Sequence, residues 1–259
     1  MKVMETGRIT EQLGLAPGIF SLSLELPKIA SAAKPGQFVM FYLNQGDALL
    51  PRPISIFDAD KSAGIIRLVY HIVGRGTQHL SGLCAGEYLK VLGPLGNGFV
   101  IPQNLAGAIL VGGGIGTPPL LMLARCLLAK GVECRVFLGF RQSSILSSDF
   151  DGLGCRVSIS TDSGAEGFRG NAVELLRTMD IDGEIFSCGP KPMLRQLARY
   201  ADERGLPCQV SLEERMACGL GGCVGCVVGT LSEQGRESGY KKICSDGPVF
   251  YSSQVVWDE

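Results

Sequence analysis

The segment MACGLGGCVGCVV, residues 216–228, constrains this chain more than any other stretch. It sets Cys218, Cys223 and Cys226 at spacings of x4 and x2, with Cys244 following farther along. Gly219, Gly221, Gly222 and Gly225 leave the intervening backbone almost free of side chains. The pattern C-x4-C-x2-C…C is the plant-type arrangement of thiolates around a [2Fe–2S] cluster. Two irons and two sulfides form a rhomb, so a short loop must bend around it while the fourth thiolate arrives from a distant strand. Glycine permits those bends without a Cβ penalty. It also lets backbone N–H groups point at the sulfurs, where they tune the reduction potential. Structural zinc takes four thiolates as well, commonly from paired C-x2-C knuckles. This chain has one such pair, so the cluster is the reading carried forward. Bound metal would also staple the segment, because metal-binding energy becomes folding energy.

The rest of the composition excludes several classes. At 259 residues there is room for two or three domains, and 46% hydrophobic with 19% charged residues is an ordinary globular balance. A formal net charge of −1 without a long charged run gives nucleic acid nothing to bind. The opening MKVMETGRIT lacks the apolar core of a secretory signal. Leu105 to Ala124 is uncharged and long enough to span a bilayer. It contains GGGIGTPP and lacks aromatic anchors, so we read it as a buried strand passing through a glycine loop into a helix, with no membrane partner. Ten cysteines without an export signal argue for a reducing cytoplasm rather than a disulfide scaffold.

Three units are expected, at residues 1–102, 103–208 and 209–259. In the first, GIFSLSLEL, GQFVMFYL and IIRLVYHIV are rich in β-branched and aromatic residues and bounded by turn formers, which suggests a small antiparallel barrel. VLGPLGNGFVIP, residues 91–102, reads as the exit from it. In the second unit GAILV, CRVFLGF, CRVSIST and GEIFSCG alternate with the helical PLLMLARCLLAK and NAVELLRTM, as in a parallel α/β sheet. The third is too small to hold a generous core of its own.

The run GAILVGGGIGTPPL is strand, glycine turn, helix, which lets a pyrophosphate approach the backbone at a helix N-terminus. Gly112, Gly113, Gly114, Gly116 and Thr117 are the candidates there. The run departs from G-x-G-x-x-G, because the third position falls on Thr117. The acid expected at the end of the second strand, to hold a ribose, is absent, and Arg141 stands there. Tight strand–helix packing is the alternative explanation for these glycines. A second candidate is Cys188-Gly189-Pro190, at the end of a strand that reaches the ligand-binding edge of such sheets. A buried small residue is the plainer reading of Cys188.

Electron counting then asks for a third group. A nicotinamide exchanges two electrons as hydride and a [2Fe–2S] cluster takes one, a mismatch that a flavin bridges. The barrel is the part still unassigned. There Arg52 offers a planar fork for phosphate, Pro53 stiffens the strand, and Ser55 alternates with Ile54 and Ile56 so that it can reach a ring edge. Val69, Tyr70 and His71 end another strand, and Gly76 with Thr77 opens a short helix in which Thr77 is the expected N-cap. A surface edge strand is the alternative for Arg52–Ser55, and we give His71 no acid–base role.

Taken in order, RPIS, VYHIVGRGT, LGPLGNGF, GGGIGTPPL and CGPKPM span Arg52 to Met193 and resemble the ferredoxin–NADP reductase superfamily. EERMACGLGGCVGC and CSDGPVF, residues 244–250, resemble the electron-transfer subunits of NAD-dependent (B-type) dihydroorotate dehydrogenases. The resemblance implies a multidomain α/β plus β protein: a six-stranded antiparallel FAD barrel, a Rossmann-like nicotinamide domain and a small [2Fe–2S] domain. It implies that FAD is held by Arg52, Pro53, Ile54, Ser55, Val69, Tyr70, His71, Gly76 and Thr77. NAD would use Gly112 to Thr117 and Cys188, Gly189 and Pro190, and the cluster Cys218, Cys223, Cys226 and Cys244. It further implies an FMN-containing catalytic subunit as partner, in a heterotetramer of two of each chain. Dihydroorotate would be oxidised on the partner, so no catalytic residue is expected on this chain. Two alternatives stand beside this: a reductase feeding an oxygenase, sulfur reductase or hydrogenase from NAD(P)H, and a zinc-stabilised binding protein without redox work.

Overall fold

A computed structural model describes residues 2–43, 50–232 and 237–257. The N-terminal part runs β1 (Val3–Ala16), β2 (Ile19–Glu25), α1 (Pro27–Ala32), β3 (Phe38–Tyr42), β4 (Arg52–Asp60), β5 (Ile65–His71), α2 (Arg75–Ser81) and β6 (Tyr88–Leu95). These six strands close into an antiparallel barrel in the order β1-β2-β5-β4-β3-β6. Alternation puts Ile66, Leu68 and Tyr70 of β5 inside, against Leu22, Leu24, Val39, Phe41, Ile56 and Val91. The stretch VLGPL belongs to β6 and not to the barrel's exit, which begins after Leu95. Its glycine is a packing requirement: a Cβ on Gly93 would lie 2.7 Å from Val39 Cγ1 on β3.

The second part runs β7 (Gly107–Gly113), a 3-10 turn (Gly114–Gly116), α3 (Pro119–Leu128), β8 (Glu133–Phe140), α4 (Ser147–Gly152), β9 (Arg156–Thr161), β10 (Phe168–Arg169), α5 (Ala172–Arg177), β11 (Glu184–Cys188), α6 (Lys191–Arg204) and β12 (Cys208–Ser211). Continuous apolar runs such as Ala108–Val111 are buried on both faces, as a helix-covered parallel strand requires. Beyond β12 come β13 (Val227–Leu231), β14 (Glu237–Lys242), which pair as a hairpin, and β15 (Val249–Tyr251). The sheet order is β10-β9-β8-β7-β11-β12-β15, parallel except for β15. Strand order reverses beside β7, so the crevice at the carboxyl ends of β7 and β11 is the switch point where such sheets take ligands.

Two seams join these parts. Gln209 on β12 donates to the Val100 carbonyl (2.7 Å) and to Glu184 (2.7 Å), and accepts from the Val100 N–H. Asn97 Nδ2 donates to the carbonyls of Ser245 and Asp246, next to Cys244. The tail is therefore not the unsupported segment that its size suggests. Cys226, Ile243, Cys244, Phe250 and Val255 pack into one core with Leu194, Val210 and Leu212. Among the described residues, no helix is long and apolar enough to cross a membrane.

Candidate functional site

A cleft of about 220 Å³ opens between barrel and sheet. Its barrel wall is Phe38, Pro53, Ile54, Ser55, Val69, Tyr70, His71 and Thr77, and its far wall is Ile115 with Ser211 to Glu214, Met216 and Pro248. The two barrel stretches singled out in the sequence thus face one space because β4 and β5 are neighbours. Tyr70 is buried; its hydroxyl reaches Gln12 Oε1 (3.4 Å), its ring stacks on Phe20, and burial raises its pKa. His71 is exposed and lies along Gly18.

Arg52 crosses the start of α2: its guanidinium lies so close over Gly76 that a Cβ there would collide with Nε. The cradle combines a glycine, a helix start and a planar cation, which suits a diphosphate. Thr77 is not the N-cap. Gly74 holds that position in extended backbone, and Thr77 is the third helical residue, its hydroxyl accepting from the N–H groups of Val73 and Gly74. A glycine cap leaves backbone N–H groups uncovered by any capping side chain.

At the sheet's switch point, Gly112 lies opposite Cys188 in register. Gly116 packs on the Cys188–Gly189 peptide so closely that its Cβ would sit 2.5 Å from Gly189 N. Thr117 is buried, and its hydroxyl has no hydrogen-bond partner among the described residues. A buried hydroxyl without a partner at a glycine turn fits a ligand-facing role. Gly113, Gly114 and Pro190 border a second cavity on this edge. The Cys188 side chain is buried and its thiol contacts Ser211; burial raises its pKa, and it stands within the wall as a packed small residue.

The four tail cysteines form two unlike pairs. Cys218 and Cys223 are half-buried, with thiols in hydrogen-bonding reach of each other; Cys226 and Cys244 are buried and likewise adjacent. The Leu220 N–H donates to Cys218 Sγ at 3.4 Å, and backbone donors led by this one bring the Cys218 thiol down to about 6. Burial, then the Cys226 thiol, pushes Cys244 up to about 11. Among the described residues, no three His, Cys, Asp or Glu side chains converge as a single metal ion requires. Two pairs would offer two thiolates to each of the two irons of a [2Fe–2S] cluster. The loop's bends fall at Gly219 and Gly221, with φ of +68° and +84°. A Cβ on Gly219 would lie 2.8 Å from Met40 Cγ, so the loop rests on β3. Phe38, two residues away on β3, lines the cleft. Reading the sequence alone misses this far wall, although Met216 lies two residues before Cys218.

Comparison with known proteins agrees with this architecture. Residues 4–99 match the family described as an oxidoreductase FAD-binding domain, and residues 213–256 the iron-sulfur cluster binding domain of dihydroorotate dehydrogenase B. The chain is 39% identical over 254 residues to the electron transfer subunit of dihydroorotate dehydrogenase B (NAD(+)) from Bacillus caldolyticus, covering 96% of each. The corresponding subunit of Bacillus cereus (strain G9842) is 40% identical over 255 residues, again covering 96% of each. A solved chain from an NADH-dependent reduced ferredoxin-NADP oxidoreductase superposes with a TM-score of 0.85 at 30% identity, covering 97% of this chain and 90% of that one. The ferredoxin reductase of carbazole 1,9a-dioxygenase, at 21% identity and a TM-score of 0.70 over 80% of this chain and 67% of that one, shares the fold. By identity, coverage and the build of its cleft and cysteine loop, the chain belongs to the family of electron transfer subunits of dihydroorotate dehydrogenase B.

Proposed function

We propose that this chain relays electrons between an FMN-containing dihydroorotate dehydrogenase subunit and NAD+, through a [2Fe–2S] cluster and FAD of its own. The observation that carries the reading is β3: Phe38 lines the cleft between barrel and sheet while Met40, on the same strand, supports the cysteine loop. A cluster and a flavin so placed would be separated by little more than one strand's side chains.

Bound flavin supplies the exchange between single electrons and hydride. Arg52 and the start of α2 at Gly76 would hold its diphosphate, Pro53, Ile54, Val69 and Tyr70 would bound its ring, and Ser55, His71 and Thr77 would present polar atoms at the cleft wall. Cys218, Cys223, Cys226 and Cys244 would ligate the irons. Gly112, Gly113, Gly114, Gly116, Thr117, Cys188, Gly189 and Pro190 would form the dinucleotide edge. Residues 1–102, 103–208 and 209–259 would be the three working units, and two of these chains would pair with two catalytic subunits in the cytoplasm.

Anaerobically purified chain should show flavin bands over broad cluster absorption, with iron and acid-labile sulfide in equal amounts. Mixing it with the catalytic subunit should establish dihydroorotate-dependent NAD+ reduction, and omitting it should abolish that reaction. A colourless zinc protein would overturn the proposal. Activity restricted to an oxygenase, sulfur reductase or hydrogenase partner would favour the outward-feeding reductase.

A further inference from the structure

Lys242, two residues before Cys244, reaches back into the cysteine loop, where its Nζ donates to the Gly221 carbonyl at 2.6 Å. The backbone from which it reaches is held on both sides. Its N–H donates to Asp246 Oδ2 at 2.7 Å, and its carbonyl accepts from the N–H groups of Asp246 (2.8 Å) and Ser245 (3.2 Å). Pairing on β14 sets Lys242 opposite Val227, the residue after Cys226. One cation is thus tied to the segments that carry Cys226 and Cys244 and, through Gly221, to the loop that carries Cys218 and Cys223.

The carbonyl that it holds belongs to the peptide joining Gly221 to Gly222. The Gly222 N–H faces the Cys218 sulfur, as the Leu220 N–H does at 3.4 Å, and the Gly221 N–H faces Cys244. This peptide is trans, and the carbonyl and N–H of a planar trans peptide point opposite ways. A lysine that holds the carbonyl therefore aims the N–H. Nothing else fixes that orientation sterically, because neither Gly221, at φ +84°, nor Gly222 has a side chain to resist rotation. We propose that Lys242 is a positioning residue for the electron relay: by clamping the Gly221 carbonyl it keeps the Gly222 N–H on the Cys218 sulfur, and so holds the reduction potential of the cluster above that of an unclamped loop. This rests on reading Cys218, Cys223, Cys226 and Cys244 as the cluster ligands. Reduction places one more negative charge on the irons and their sulfurs, and N–H donors aimed at those sulfurs favour that charge. The ammonium adds to the effect by polarising the peptide that it holds and through its own charge.

The test compares wild type with Lys242→Met, Lys242→Arg and Lys241→Met, each as the full chain purified without oxygen. The readout is a redox titration of the cluster followed by electron paramagnetic resonance. Lys242→Met keeps an apolar stem and removes donor and charge together. At a fixed potential its oxidised-to-reduced ratio should rise about tenfold, the order of one hydrogen bond to a charged group, which equals a fall of about 59 mV for a one-electron couple. Lys242→Arg retains a cationic donor and should recover most of that fall. Lys241→Met removes the same charge from the adjoining exposed position and should move the potential far less. Iron loss to a chelator should quicken in Lys242→Met, with FAD content as in wild type. Faster iron loss at an unmoved potential would make the lysine merely structural and overturn the proposal. Equal falls in Lys242→Met and Lys241→Met would overturn it too, since charge alone would then suffice. If Lys242→Met retains too little cluster to titrate, Lys242→Gln, shorter and neutral, takes its place with the same fall expected. Wild type without iron and acid-labile sulfide would overturn the proposal together with the cluster reading, whereas an unmoved potential in a cluster-bearing variant defeats the clamp alone.

Discussion

The barrel–sheet cleft and the cysteine loop both lean on β3, yet different forces shape them. The cleft is a by-product of the barrel: six hydrogen-bonded strands closed around Leu22, Val39, Ile56 and Leu68 present Ser55 and Tyr70 at its wall. The loop between β12 and Val227 contains no helix or strand; Leu212 and Cys226 are its buried anchors, with Met216 packed beside them and Cys244 reaching Cys226 from beyond β14. No helix or strand ladder holds this loop among the described residues, so a bound metal group would add to its order. One wall is scaffolded by strand pairing and a packed core, and the other is a loop whose thiols a bound metal would staple.

The largest test of that contrast is Cys223→Ser. Losing one thiolate should abolish the cluster and loosen residues 213–226, leaving the barrel intact. Iron and sulfide analysis with amide exchange checks both halves, and wild-type iron content would refute the ligand assignment. Next in size is Arg52→Ala, which would remove the proposed charge-assisted phosphate contact of about 1.5–3 kcal/mol and should weaken FAD binding roughly ten- to a hundredfold. Because strand pairing and a packed core hold the barrel, its amides should remain protected. Flavin occupancy after dialysis and the thermal midpoint report these separately.

Gly219→Ala comes third. It forces a side chain into positive φ, at about 1–2 kcal/mol, and against Met40. Faster cluster loss to a chelator is expected, with FAD affinity unchanged. The smallest effect belongs to Asn97→Ala, which removes two hydrogen bonds from the Ser245–Asp246 turn and should cost about 1 kcal/mol. It would connect the two regions if it accelerated chelation, because the lost donor lies on the barrel's exit and the gain in lability on the tail.

Legibility follows how local each feature is. The cysteine spacing and glycine turns are read within a dozen residues, since the chemistry that they serve is itself that small. The alternation of strands and helices after residue 105 is equally plain. Helix α6 carries readable signals, with Pro192 in its first turn and Gly205 in left-handed conformation at its end, yet it is absent from the expected elements, the last of which is the strand ending at Gly189. β1 and β6 are not among the expected strands either, and β6 carries the turn formers Gly93 and Pro94, of which Gly93 serves close packing against Val39. Thr77 suits the cap by its side chain; Gly74 holds it through backbone conformation alone.

The amino-acid order alone settled which reactive and flexible groups this protein possesses, namely thiols in a cluster spacing, a glycine turn after a buried strand, and a guanidinium beside a proline. Tertiary structure decided which of them meet. Arg52 lies over Gly76, Met216 faces Ser55 across a cleft, and Lys242 reaches Gly221, in each case through strand pairing or packing between distant segments. Such pairings depend on register and closure, which are properties of the whole sheet or barrel, and no short window of sequence contains them.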